Sequence, residues 1–403
     1  MLIPNPQALR GPYPADLHTV MHIAQAQDTR SWLQRWSQLA PQPTPLWSLP
    51  GLAKQLQLGG LYIKDESKRS PLGSFKALGA PAALVRLVLR QHPDWSADAV
   101  LQGQHAQALA TLVVISATDG NHGRALAAAA RSAGLRCVIV LHSQVSAERE
   151  QAIADFGAEI VRVPGNYDAS VAHAADLAQR HGWQVVSDTS YAGYEDIPRD
   201  VMQGYGVIAD ELVQQQDQPF THVLLQGGVG GLAAGIAAYF WERYGAHRPR
   251  FVVVEPEQAD CLLQSAVHGK ASSARGSVDS VMAGLACGET SPLAWRFLAP
   301  SVDAFMAIRD DQAVAAMQVL AQGRAGDVPI VSGESGAAGF AGLQALAQSP
   351  AWRQQLGLDA QSRVLCINTE GATAPAIYQA LCGQPADAVL RAQQAWLANY
   401  SPR

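Results

Sequence analysis

The chain has 403 residues, 48% of them hydrophobic and 16% charged, which is the composition of an ordinary globular protein and too long for one small core. Its formal net charge is −5 with no run of lysine or arginine, which argues against a nucleic-acid or membrane-surface partner. No segment offers about 18 uninterrupted apolar residues, and prolines interrupt the N-terminus where a secretory peptide needs an apolar stretch. We therefore expect a cytoplasmic protein of two lobes that binds a small molecule.

The five cysteines are widely spaced and form no CxxC motif; they are Cys137, Cys261, Cys287, Cys366 and Cys382. This pattern indicates neither a disulfide framework nor a zinc site. We expect reduced thiols and no metal. Whether Cys261 and Cys287 pair is left open, because sequence does not give the distance between them.

The first candidate for chemistry is Lys76, in the segment SPLGSFKALGA (70–80). It follows a turn containing Pro71 and Gly73 and begins a helix-favouring stretch. Apolar neighbours such as Phe75 would desolvate the amine, lower its pKa and give the neutral form that imine chemistry needs. The competing interpretation is a lysine whose amine simply reaches water.

From about residue 111 onward, short apolar runs alternate with alanine-rich helical stretches, the pattern of parallel strands joined by helical crossovers. The class is therefore α/β. The apolar runs predict strands at 111–116, 136–142, 159–163, 183–188, 221–226, 250–255 and 363–369.

The first four predicted strands would form one lobe, and the irregular segment after the fourth would cross to the other lobe. We expect each lobe to be an open, mostly parallel sheet flanked by helices. The predicted domains are a small one over 89–189 and a large one over 1–88 plus 190–403.

Polar residues follow the strand at 111–116, in the turn SATDGNHGRA (116–125). Asp119 and Asn121 lie at the carboxyl end of that strand, where ligands bind in open parallel sheets. His122 begins the next helix, so a role as a base competes with capping or packing. Two other strands end in polar side chains, Asp188 and Thr369.

Four glycines in five positions separate the strand at 221–226 from the following helix, in QGGVGGLAAG (226–235). Such a loop lets backbone N–H groups converge on a phosphate at a helix N-terminus, where the helix dipole also favours an anion. The alternative is a tight turn that only packs closely.

In order and spacing, SFK, TDGNHG, GGVGG and a late strand ending in a hydroxyl residue resemble the fold type II pyridoxal phosphate enzymes, which include serine and threonine dehydratases. TDGNHG, DSVMAGLACGETS (279–291), SGESGAAG (332–339) and NTEGAT (368–373) are similar to the diaminopropionate ammonia-lyases. The resemblance covers nearly the whole chain. It implies a homodimer with its cofactor, pyridoxal 5'-phosphate, in the cleft between the lobes, and elimination of ammonia from D- and L-2,3-diaminopropionate to give pyruvate and ammonia.

The resemblance also assigns cofactor-binding residues. Lys76 is similar to the Schiff-base lysine, Asn121 to the group that binds the cofactor's phenolic oxygen, and Thr369 to the hydroxyl residue facing the pyridine nitrogen. The phosphate cradle would comprise Gly227, Gly228, Val229, Gly230 and Gly231. Val229 interrupts the usual glycine run, but backbone N–H groups do the binding, so this departure matters little.

Two carboxylates are the further catalytic candidates. Asp119 stands where the wider family more often has serine, and a carboxylate is a better base near neutral pH. It would deprotonate the D-isomer while Lys76 serves the L-isomer. Asp188 matches a second subfamily carboxylate that would hold the substrate's distal ammonium or assist proton transfer. Capping of the following segment is the alternative for both.

Other functions compete with this interpretation. A serine or threonine dehydratase of the same fold is the main alternative, and a non-catalytic amino-acid-binding protein is another. A nicotinamide-dependent oxidoreductase is suggested by GVGGLA (228–233), which satisfies GxGxxA after a strand, with Glu255 ending the next strand. That reading leaves Lys76 and TDGNHG unexplained.

Overall fold

The computed structural model describes residues 1–118, 120–165 and 167–399. In this part of the chain, strands form two sheets. The strands are β1 (Leu2–Pro4), β2 (Leu46–Ser48), β3 (Gly60–Asp65), β4 (Val113–Ala117), β5 (Arg136–His142), β6 (Glu159–Val163), β7 (Gln184–Val185), β8 (His222–Gln226), β9 (Arg250–Pro256), β10 (Ala304–Ile308) and β11 (Arg363–Asn368).

The larger sheet has the order β1-β10-β9-β8-β11-β3-β2, and the smaller has the order β6-β5-β4-β7. All pairs in the smaller sheet are parallel. The larger sheet is parallel except at its edges, where β1 and β2 run antiparallel to their neighbours. The carboxyl ends of β8 and β11 therefore lie side by side.

Helices connect and cover the strands. The α-helices are α1 (Ala15–His18), α2 (Ile23–Leu33), α3 (Pro50–Gln55), α4 (Lys76–Gln91), α5 (Ala97–Leu101), α6 (Ala106–Leu109), α7 (Asn121–Ala133), α8 (Ala147–Ala154), α9 (Tyr167–His181), α10 (Asp196–Gln215), α11 (Gly231–Tyr244), α12 (Cys261–His268), α13 (Pro292–Ser301), α14 (Asp310–Ala321), α15 (Ala338–Gln348), α16 (Pro350–Leu356), α17 (Pro375–Cys382) and α18 (Ala386–Asn399). None of the described helices combines the length and apolar composition that a membrane crossing requires.

The predicted α/β class is confirmed, with both sheets flanked by helices. The predicted strand at 183–188 is shorter than expected, because only Gln184–Val185 pair with β4 and Asp188 follows in irregular chain. Strands β1, β2, β3 and β10 were not predicted. The strands of the smaller sheet fall within 89–189, and the domain boundaries themselves stay a prediction.

Both faces of each sheet are buried, which explains the continuous apolar runs. Along β8, Val223 and Leu225 belong to one hydrophobic cluster and Leu224 to another on the opposite face. Along β5, Ile139 faces the first cluster and Val140 a third. The first cluster contains side chains from both sheets, so the two lobes share a core.

Helix α4 packs tightly against α10, and small residues permit the approach. A Cβ added at Gly79 would lie 2.5 Å from the ring of Tyr205, and one added at Gly204 would lie 2.4 Å from the carbonyl oxygen of Leu78. A side chain at Gly79 would therefore displace the ring of Tyr205, and one at Gly204 would require movement of a helix. This contact matters because α4 begins at Lys76.

We predict that Gly204→Ala lowers the free energy of unfolding by about 2 kcal/mol, because overpacking against backbone outweighs the better helix propensity of alanine. Thermal unfolding monitored by circular dichroism measures this change. Gly11→Ala is the matched control, since a Cβ there meets no atom within 4 Å. Equal melting temperatures for the two variants would contradict the close packing described.

Candidate active site

A pocket of about 950 Å³, including its open mouth, lies between the two sheets. Residues from both lobes line it. They include Phe75, Lys76, Thr118, Asn121, His122, Arg149, Asp188, Tyr205, Gly227, Gly228, Val229, Gly231, Cys287, Ser335, Thr369 and Glu370. The chain has five lysines, and Lys76 is the one that lines this pocket.

Backbone contacts fix the position of Lys76. The N–H of Phe75 donates to the carbonyl of Thr369 at 3.0 Å, and Ser74 forms a bridge with Glu370. Gly73 (φ +73°) provides the turn before them. The loop preceding α4 is thereby tied to the end of β11, and Lys76, the first residue of α4, projects into the pocket from that junction.

The ammonium of Lys76 donates a hydrogen bond to Oδ2 of Asp188, forming an ion pair. Burial alone would lower the pKa of Lys76, but the negative charge of Asp188 outweighs it and the pKa is raised. Burial alone would likewise raise the pKa of Asp188, and the charge of Lys76 lowers it instead. The expectation of a lowered lysine pKa is therefore wrong for this structure, because it considered only the apolar neighbours.

His122 is buried beside this ion pair. Its Nε2 lies 2.9 Å from the carbonyl oxygen of Val186, which places the proton on that nitrogen. Its Nδ1 lies 3.9 Å from Oδ2 of Asp188 and has no hydrogen-bond partner among the described residues. Burial, the largest influence, lowers the pKa of His122, so it is a neutral ring that packs against Asp188.

Asn121 is the first residue of α7, at the end of β4, and its Nδ2 donates to Oε2 of Glu370. The hydroxyl oxygen of Thr118 accepts from the N–H groups of Gly120 and Gly123 and so stabilises the turn. Asp119, the predicted base of the same turn, lies outside the described residues.

The glycine-rich loop joins β8 to α11. Gly228 and Gly230 have φ values of +62° and +102°, which L side chains rarely adopt. Gly227, Gly228, Val229 and Gly231 line the pocket, and no side chain caps the start of α11. An anion in the pocket would therefore meet the open N-terminus of a helix.

Two backbone N–H groups of this loop already donate hydrogen bonds within the protein. The N–H of Gly227 donates to Val254 and that of Gly230 donates to Gly227. Gly230 does not line the pocket, and a Cβ there would lie 2.9 Å from Leu298. Unlike the other members of the predicted cradle, Gly230 thus shapes the loop and faces away from the pocket.

Sequence reasoning missed a charged cluster at the pocket: Arg149, Glu334 and Glu370. Arg149 from α8 of the smaller lobe pairs with Glu334 of the larger lobe at 2.7 Å. Burial and then the charge of Glu370 raise the pKa of Glu334 to about 7, against the opposing effect of Arg149. Glu370 lies inside the motif NTEGAT, so a charged residue directly after Thr369 was the available signal.

Glu255 does not have the position that nucleotide binding requires. Its carboxylate accepts the N–H groups of Leu262 and Leu263 at 2.9 and 2.8 Å and is fully buried. It also lies behind the glycine-rich loop, since a Cβ on Gly227 would come within 2.5 Å of it. A nicotinamide cofactor would need this carboxylate to bind its ribose. Here the carboxylate instead accepts the N–H groups at the start of α12.

The described residues contain no group of three or more His, Cys, Asp or Glu side chains arranged to hold a metal ion. All five cysteines lie in the described ranges, and no disulfide joins any of them, Cys261 and Cys287 included.

Residues 38–370 match the family model described as "Pyridoxal-phosphate dependent enzyme", which defines the class of this fold and pocket. The chain is 39% identical over 340 residues to diaminopropionate ammonia-lyase of Escherichia coli strain K12, covering 82% of this chain and 85% of that protein. It therefore belongs to the diaminopropionate ammonia-lyase family.

Solved structures agree. The holo form of the Escherichia coli diaminopropionate ammonia-lyase superposes with a TM-score of 0.87 at 35% identity, covering 95% of this chain and 96% of that one. The same enzyme in complex with an aminoacrylate-PLP azomethine reaction intermediate gives a TM-score of 0.85 with the same coverage.

We predict a pH-dependent contribution of Glu334 to stability. Its folded-state pKa of about 7 lies above the unfolded value of about 4.3, so the folded protein binds an extra proton between these pH values. The resulting stabilisation is complete below about pH 4.3 and is lost as the pH rises through about 7.

Thermal unfolding of the wild type and Glu334→Gln across this range measures the effect. The wild type should lose on the order of 2 kcal/mol relative to the variant as the pH rises from about 5 to about 7.5. If the difference in the free energy of unfolding between the wild type and Glu334→Gln stays constant with pH, the pKa of Glu334 is not raised. The same conclusion follows if the wild type becomes relatively more stable as the pH rises.

Proposed function

We propose that this chain catalyses the pyridoxal phosphate-dependent elimination of ammonia from 2,3-diaminopropionate, from both its D- and L-isomers, giving pyruvate and ammonia. The observation that carries the proposal is that Lys76, the pocket's lysine, pairs with Asp188 in the pocket that the open start of α11 also lines. Membership of the diaminopropionate ammonia-lyase family supplies the substrate.

The polar groups of the pocket match those of this cofactor. We assign Lys76 to the covalent link with the cofactor's aldehyde carbon, and Asn121 to its phenolic oxygen. Gly228, Val229 and Gly231, which line the pocket at the start of α11, would hold the phosphate. Thr369 would face the pyridine nitrogen.

When bound, pyridoxal phosphate withdraws electrons from the α-carbon of the amino acid and so acidifies its α-proton. A neutral hydroxyl such as that of Thr369 does not hold the pyridine nitrogen protonated, whereas a carboxylate would. The weaker electron withdrawal favours prompt loss of a β-substituent over transamination.

Lys76 and Asp188 would carry out proton transfer on one face of the substrate. Once the substrate displaces it, the Lys76 amine takes the α-proton of the L-isomer, and Asp188 stabilises the resulting ammonium. This contact supports the proton-transfer role of Asp188 over the binding of a distal ammonium. Asp119 would take the α-proton of the D-isomer from the opposite face.

The electron pair of the Cα–H bond forms the Cα=Cβ bond, and the Cβ–N pair leaves with ammonia. The released aminoacrylate hydrolyses to pyruvate and a second ammonia. One diaminopropionate and one water therefore give one pyruvate and two ammonia. We also propose that the enzyme is a cytoplasmic homodimer, as the family resemblance implies, which sedimentation analysis of the holoenzyme would test.

The function is tested by pyruvate release from L- and D-diaminopropionate, L- and D-serine and L-threonine, assayed side by side. Diaminopropionate should give the highest kcat/KM, because a protonated amine leaves more readily than hydroxide. A clear preference for serine or threonine would identify a dehydratase and overturn the proposal.

We predict that Lys76→Ala lowers kcat/KM by roughly a thousandfold or more, because the variant lacks both the covalent attachment and the base. Absorption spectra should also show loss of the lysine-bound cofactor. Lys54→Ala is the control, because Lys54 is exposed on α3 and away from the pocket. Near-normal turnover by Lys76→Ala would refute the assignment.

We predict that Asp119→Asn lowers kcat for D-diaminopropionate by about a hundredfold or more, the usual contribution of a positioned base. The L-isomer serves as the internal control and should be turned over within a few-fold of the wild-type rate. A variant that retains full activity on the D-isomer would exclude Asp119 as its base.

A further inference from the structure

Two described carboxylates line the pocket, and their partners differ. Asp188 is neutralised by Lys76. Glu370 has 4% of its surface exposed, and among the described residues its carboxylate accepts hydrogen bonds only from neutral groups: Ser335 N–H at 3.1 Å, the Asn121 amide and the Thr373 hydroxyl at 3.4 Å. Within the described ranges, no lysine, arginine or histidine forms an ion pair with Glu370.

The cationic side chain near Glu370 is Arg149, and it pairs with another carboxylate. Arg149 lines the pocket but pairs with Glu334, whose pKa is raised by burial and by the charge of Glu370. A buried carboxylate without a cationic partner is costly, and the neutral donors offset only part of that cost. Glu370 therefore favours a cation arriving from solution.

The hydrogen bonds of Glu370 leave one acceptor position for such a cation. A carboxylate has about four acceptor positions. Oε2 accepts from Asn121 and Thr373, while Oε1 accepts from Ser335 alone among the described groups. One position on Oε1 is thus available, on a side chain that touches Asn121, which we assigned to the cofactor.

Resting on the proposed function, we propose that Glu370 binds the side-chain ammonium of the diamino-acid substrate and so selects it over hydroxy amino acids. Serine differs from diaminopropionate in carrying a neutral hydroxyl where the latter carries a protonated amine. A buried anion at that position discriminates between the two by charge.

The proposed contact between Glu370 and the side-chain ammonium would also assist departure of ammonia. Glu370 would keep the amine protonated until the Cβ–N bond breaks, and the nitrogen then departs as neutral ammonia with the bonding pair. No further proton is needed. Glu370 therefore acts in binding and specificity, whereas Lys76 and Asp119 would exchange protons with the α-carbon.

The test compares kcat and KM for L-diaminopropionate and L-serine in the holoenzyme and in Glu370→Gln, which keeps the shape and an acceptor oxygen. For diaminopropionate, kcat/KM should fall 10- to 100-fold, chiefly through KM, in line with the loss of about one strong charged hydrogen bond. For serine, the change should stay within about threefold. Glu370→Asp, which retains the charge, should recover part of the selectivity.

Two controls separate charge recognition from damage to the pocket. Binding of L-alanine, which has no side-chain amine, should change the cofactor absorbance with the same affinity in Glu370→Gln and wild type. Glu159→Gln removes an exposed carboxylate of β6 that does not line the pocket, and should leave the ratio of the two substrates unchanged.

The outcomes are distinguishable. A wild-type enzyme that does not eliminate ammonia from diaminopropionate overturns the proposed function and this inference with it. A wild type that does so, with Glu370→Gln reducing diaminopropionate and serine turnover equally or weakening alanine binding, overturns the inference alone. Selective loss in Asp188→Asn but not in Glu370→Gln would assign the ammonium to Asp188 instead.

Discussion

The ion pair between Lys76 and Asp188 links two parts of the chain that fold into different sheets. Lys76 begins α4 beside the end of β11, and Asp188 follows β7 of the smaller sheet. Both charges are largely buried, so loss of either partner would leave the other uncompensated, at a cost of about 3–5 kcal/mol. The close packing of α4 on α10 and the backbone contacts before Lys76 hold one end of this pair.

In the proposed function, Lys76 exchanges its ion pair with Asp188 for a covalent bond to the cofactor. After the substrate has displaced Lys76, Asp188 would stabilise the ammonium that forms when the free amine takes the α-proton. The pocket also contains Glu370, whose hydrogen-bond donors in the described part of the chain are all neutral. Asp188 is thus paired with the lysine, and we propose that Glu370 binds the cationic substrate.

Much of the fold could be predicted because both faces of the sheets are buried, which leaves unmistakable apolar runs such as that of β5. Strand β3 was missed because it contains Lys64 and Asp65. Burial of Lys64 depends on an ion pair with Glu211 at 2.6 Å and on hydrogen bonds to Thr44 and Gln215, which lie far away in sequence. The glycine-rich loop and Lys76 could be found because their chemistry is local. Arg149 and Glu334 could not, since they are 185 residues apart and meet only through the packing of the two lobes.

The most direct test of the account is borohydride reduction of the holoenzyme followed by peptide mass mapping. The chain has only five lysines, so each site of reduction is resolved. We predict that the reduced cofactor is found on Lys76 alone. Labelling of Lys54, Lys64, Lys68 or Lys270 in its place would contradict the assignment of this pocket as the active site.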